Sequence, residues 1–119
     1  MKRQYALYLR DIVRAIGNIE EFTRGIDFAS FLKDEKTKSA VVWQIATIWE
    51  AVKHLPRSVR VKYKNVPWTE MARMRDKIAH SYLGIRYEIV WAVITDRLPH
   101  IRPSIEAILR DIEGESLFK

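Results

Sequence analysis

Cysteine is missing from this 119-residue chain, so neither a disulfide framework nor a thiolate metal site is available to it. Glycine and proline are sparse, at four each, which excludes collagen-like, linker-like and low-complexity organisation. No long apolar run interrupts the charges. The opening MKRQYALYLRDIVRAIGNIEEF carries a charged residue every few positions, unlike a signal peptide or a membrane span, and the expected location is the cytoplasm, away from any membrane. Acidic residues are outnumbered, 15 against 21 Lys and Arg, for a net charge of +6. Hydrophobic content of 48% is ample for a core, and the length suits a single domain over residues 1–119.

What is present is helical spacing. Tyr5, Leu9, Ile12, Ile16, Ile19 and Phe22 recur every three or four residues, predicting a first helix over about 2–24, with Gly25 as its stop. Asp27 can cap a short turn that buries Phe28, Phe31 and Leu32. A second long helix is expected from about Thr37, with Val41, Val42, Ile45, Ile48, Trp49 and Val52 as its stripe, finishing before Pro56. Pro56 to Tyr63 suits a short helix, and Trp68 to about Tyr82 the next, ended by Gly84. Arg86 to about Arg97 reads as another. A last helix is expected from Pro99 or Pro103 to Ile112, with Ile105, Ile108, Leu109 and Ile112 inward. No segment alternates long enough to argue for a sheet. The fold class is all-α, a bundle of four to five helices.

The basic excess is local. Lys53, Arg57, Arg60, Lys62 and Lys64 fall in twelve residues without an acid, a patch that attracts polyanions and is a candidate RNA-docking surface. His54 and His100 fit structural roles, at a helix end and after a proline.

The chemistry-bearing stretch is Arg75-Asp76-Lys77-Ile78-Ala79-His80-Ser81-Tyr82. Cleavage of an RNA phosphodiester by the neighbouring 2′-hydroxyl needs a base, an acid and a stabiliser of phosphorane charge. Histidine near neutral pKa serves the first two and arginine the third, with no metal or other cofactor required. His80 is therefore the candidate acid/base, Arg75 the phosphate ligand, and Asp76 a residue that orients or tunes the imidazole. On an ideal helix Arg75 and Tyr82 share a stripe beside Met71, Met74 and Ile78, the expected buried side. His80 lies about 140° from Arg75. One straight helix does not bring both to one phosphate. Either the helix loosens near His80, or a symmetric homodimer pools two copies of the motif around a shared groove.

Short phrases along nearly the whole chain carry a family likeness: Tyr8-Leu9-Arg10-Asp11-Ile12, Phe31-Leu32-Lys33-Asp34-Glu35-Lys36-Thr37, Leu55-Pro56, Pro67-Trp68, Met74-Arg75-Asp76-Lys77 with Ala79-His80-Ser81-Tyr82, Val90-Trp91 and Leu98-Pro99. In these the chain resembles the HepT-like group of HEPN-domain proteins. The resemblance implies a dimeric helical bundle and metal-independent RNA cleavage by an Arg-polar-x3/4-His motif, matched here by Arg75, Asp76 and His80. It also implies a toxin of a toxin–antitoxin pair, while the sequence leaves the choice between tRNA and mRNA as target open. The partner would be a minimal nucleotidyltransferase antitoxin that adds AMP to the tyrosine of Arg-x4-His-x-Tyr, here Tyr82. Two positions depart from the family pattern: Trp49-Glu50-Ala51 replaces Gly-Glu-Ala, and Gly84-Ile85-Arg86 replaces Gly-Val-Asp, losing a helix cap. A non-catalytic helical module that binds a nucleotidyltransferase or RNA is the competing expectation. A helix-turn-helix DNA binder would fit the charge but lacks a recognition helix.

Overall fold

A computed structural model describes the backbone of residues 2–78 and 84–117. Within these residues the chain is helical, with no β-strand: α1 (Lys2–Phe22), α2 (Phe28–Lys33), α3 (Glu35–His54), α4 (Arg57–Lys62), α5 (Trp68–Ile78), α6 (Tyr87–Ala92) and α7 (Leu98–Leu117). The expected single-helix segments 86–97 and 99–112 are in fact one. A π-helical turn, Val93–Arg97, joins α6 to α7 without a break. Pro99 explains the turn's position: it has no N–H for the Thr95 carbonyl, and its ring would crowd that oxygen in α geometry. The Thr95 hydroxyl donates to the Trp91 carbonyl at 2.7 Å within the same stretch. The prolines therefore reshape the helix without ending it. Its 31 residues span about 46 Å at 1.5 Å per residue, close to the 50 Å long axis of the molecule.

Three long elements make the core: α1 packs against α3 on one side and α7 on the other. Leu9, Ile12, Ile16 and Ile19 meet Val41, Ile45, Ile48 and Val52, and Ile101, Ile105, Ile108 and Ile112, all buried. Ion pairs from Arg102 to Glu20 and from Arg10 to Glu113 tie α7 to α1 outside that core. Phe22 and Leu32, both expected inward, are exposed at the ends of their helices, while Leu109 is half-buried.

The turn after α1 needs Gly25, whose φ is +77°. Two aspartates then start successive helices. Asp27 accepts the Ser30 amide at 2.8 Å, and Asp34 accepts the Thr37 amide at 3.0 Å and its hydroxyl at 2.6 Å. The second long helix thus starts at Glu35, two residues earlier than its apolar stripe suggests, because Asp34 supplies the cap. The Thr37 hydroxyl, then the Thr37 amide, hold the Asp34 carboxyl below its ordinary pKa. The short α2 is anchored by Phe31, fully buried against Trp91 at 5.1 Å and edge-on to Tyr87 at 6.2 Å between ring centres. Lys38, buried at 8% exposure, places its ammonium 4.6 Å from the centre of the Tyr87 ring and 2.7 Å from Glu35.

Phe31→Ala is expected to cost about 3–5 kcal/mol in urea unfolding, since it empties the joint between α2 and α6. Asp34→Ala is expected to lower Tm near neutral pH. The native carboxyl titrates below the unfolded value of 3.8, so its contribution is present above that value and fades as pH falls through the native one. Melts over a pH series should therefore show the gap to wild type closing on the acid side.

Candidate active site

The motif helix is set by what it buries. Trp68, Met71, Met74 and Ile78 lie inward at i, i+3, i+6 and i+10, which fixes the rotation of α5 about its own axis. Two further contacts hold it. The Trp68 indole donates to the Tyr63 carbonyl at 3.0 Å, and Glu70 pairs with Arg97 of the π turn. With that rotation fixed, Arg75 in the last turn is exposed beside the buried stripe instead of within it, and Asp76 is exposed as well. His80 and Tyr82 lie outside the described residues.

Arg75 lines a groove of about 370 Å³ between α3, α4 and α5. The wall from α3 is Trp49, Val52 and Lys53; α4 contributes Arg60; Ala46 and Ala72 form a floor of small side chains. Three cations of the sequence, Arg75, Lys53 and Arg60, thus surround one hollow, and Arg75 has no ion-pair partner among the described residues. Glu50 is the single acid of the lining, and its carboxylate is engaged by His54 Nε2 at 3.1 Å. The groove can hold a phosphate with two or three cationic ligands at once.

Arg60 also lines a second hollow, between α4 and the start of α5, with Arg57, Lys64 and Thr69. Arg57 and Arg60 lie at i and i+3 on one face of α4, and Lys64 follows in the turn after it. A cationic track therefore runs from Lys53 and Arg75 across Arg60 to Arg57 and Lys64. Lys62 stands apart from both hollows, with its ammonium 5.3 Å from the Tyr63 ring centre. Tyr63 pins this segment: its hydroxyl donates to Asp111 of α7. Burial, then that bond, pushes the phenol above its ordinary pKa.

The remaining sequence candidates have plain roles. His54, in the last turn of α3, stacks on Tyr8 at 5.2 Å, and His100 is exposed near the start of α7. No three His, Asp or Glu side chains converge as a metal-binding set among the described residues. Nor is any described helix long and apolar enough to cross a membrane.

Residues 12–108 match the family described as Ribonuclease HepT-like. The chain belongs to that family. Relatives agree in length as well as sequence. A protein of Methanocaldococcus jannaschii named "Putative RNase" is 45% identical over 114 residues, covering 96% of this chain and 94% of its own. A Thermococcus cleftensis protein named "Probable ribonuclease HepT" is 42% identical over 108 residues, covering 91% and 98%. No solved structure matches the chain.

Both departures from the HepT-like pattern are visible in the structure. Trp49 packs partly on the core and is otherwise open, forming a wall of the Arg75 groove, a role that its place in the apolar stripe did not reveal. Arg86 is the residue before α6 and gives it no side-chain cap; its guanidinium instead pairs with Glu88 at 3.0 Å. The Glu88 carboxyl is held below its ordinary pKa by its own backbone amide first, then by Arg86. The Arg86 amide donates to the Ile78 carbonyl at 3.3 Å, so the chain that leaves α5 returns to its end.

Replacing Lys53 and Arg60 by Gln should weaken single-stranded RNA binding for all sequences alike. It should also flatten the slope of log K against log salt by about 0.7 for each phosphate contact removed. A salt titration by fluorescence anisotropy checks both.

Proposed function

We propose that this protein is a metal-independent RNA endonuclease and the toxin of a toxin–antitoxin pair. The observation that carries the reading is the groove that gathers Arg75, Lys53 and Arg60, from whose rim the motif continues in sequence to His80. Cations on three elements around one hollow suit a bent phosphodiester backbone.

In the proposed reaction the 2′-hydroxyl attacks the adjacent phosphorus while a base takes its proton. The P–O5′ bond breaks as an acid protonates the leaving oxygen, giving a 2′,3′-cyclic phosphate and a 5′-hydroxyl. His80 supplies acid/base function, because imidazole titrates near the working pH. Arg75 binds a non-bridging oxygen and stabilises the charge that grows on it, and Asp76 orients or tunes His80. Arg75 and His80 diverge on a straight helix, so a homodimer that pools two motifs in one groove is the assembly this chemistry favours.

The motif's sequence spacing offers a reason for silencing. AMP added to Tyr82 by a nucleotidyltransferase partner would put bulk and a negative phosphate two residues from His80, where the RNA backbone must sit. The modification would fill the groove and repel the substrate.

The test is cleavage of tRNA and mRNA in EDTA by wild type, Arg75→Ala and His80→Ala, with growth assays of the same forms. Loss of cutting and toxicity in both variants, at unchanged Tm, is the expected result. Tyr82→Phe should stay toxic yet escape the partner. Unmodified wild type that cuts no RNA and matches both variants would replace the enzyme with a non-catalytic interaction module.

A further inference from the structure

On the other side of Ala46 and Glu50 from the Arg75 groove lies a separate hollow of about 490 Å³. Its lining differs in kind: Tyr8 and Asp11 from α1, with Trp43, Thr47, Glu50 and His54 from α3. Among the described residues no lysine or arginine lines it. Trp43 is 72% exposed, the most exposed of the large hydrophobic side chains among the described residues, so its ring face is free to stack. The Tyr8 and His54 rings are already stacked within 15° of parallel, which presents a flat aromatic wall.

We propose that this hollow is an unpaired-nucleobase subsite of the ribonuclease, and that it makes the enzyme a reader of single-stranded RNA. The inference rests on the reading of the Arg75 groove as the phosphate site.

The division of charge favours a base as the occupant. The Arg75 groove and the track beyond it are cationic and hold backbone. The aromatic hollow has two carboxylates, Asp11 at 4.0 Å from Arg14 and Glu50 at 3.1 Å from His54, and no lysine or arginine among the described residues of its lining, so it suits phosphate less than the cationic groove does. A nucleobase is uncharged, offers a π-face to Trp43 or to the Tyr8–His54 pair, and carries amino groups that a carboxylate can accept. Glu50 keeps one carboxylate oxygen for this while the other meets His54. A stacked base in a duplex presents neither face, so duplex RNA would be excluded. The two hollows share Ala46 and Glu50, so a strand with its phosphate at Arg75 has this pocket beside it.

The experiment uses a 2′-O-methylated single-stranded oligonucleotide, which lacks the attacking hydroxyl, and the same strand with single bases removed in turn. Trp43→Ala is expected to bind about ten-fold more weakly than wild type, and Trp43→Phe to restore most of the loss. Removing one particular base should weaken wild type by a similar factor and leave Trp43→Ala unchanged, since the two deletions remove the same contact. Equal affinity of wild type and Trp43→Ala, with RNA still cut, would overturn the subsite and leave the ribonuclease standing. A change in mass by light scattering at unchanged RNA affinity would overturn it in favour of a protein interface. Paired loss of affinity in a protein that cuts no RNA would keep the subsite and sink the ribonuclease.

Discussion

The rotational setting of α5 is the constraint on which the site depends. Trp68, Met71, Met74 and Ile78 cannot be turned outward without exposing four large apolar side chains, at a cost of about 1.5–3 kcal/mol each. That burial alone dictates that Arg75 emerges beside Ala72, facing α3. The charge of the arginine has no part in placing it. Lys53 and Arg60 arrive at the same hollow from helices with their own apolar anchors, Val52 and Val59. The groove is thus the meeting of three independently fixed faces, and its small-residue floor leaves room for an anion.

Much of the bundle was legible because its helices are strongly periodic. The stripes of α1 and α3, the role of Gly25 and the Asp27 cap all follow from spacing and local chemistry. The start of α3 was misplaced because the apolar stripe begins later than the capping residue, Asp34, whose role as an acceptor the stripe does not show. Prolines misled more deeply. Pro99 and Pro103 argue for a helix start, but tertiary packing along α1 holds one long helix, and a π turn accommodates the missing donor.

The site was legible only in part. Arg75 was singled out by its motif, and Lys53 and Arg60 by their charge, yet only the fold shows that these three share a hollow while Lys62 does not. Sequence spacing also put Arg75 on the buried stripe; a side chain at the stripe's edge can stand at the rim, and the arginine does. Trp43 and Trp49 were apolar letters in a helix. Trp49 satisfies the apolar period, which does not distinguish a core tryptophan from one that walls a groove, whereas Trp43 falls off the stripe, a signal of exposure that spacing did carry.

The π turn between α6 and α7 has a consequence for how this chain can vary. A helix absorbs a surplus residue by widening one turn, so residues 93–97 behave as an insertion that the bundle has accommodated. Without that widening, the surplus residue would turn all of α7 by about 100° relative to α6. Ile101, Ile105, Ile108 and Ile112 would then leave the face that meets α1. Descendants that lose one residue from that turn would keep both faces in place, so it is the point at which this long helix can shorten.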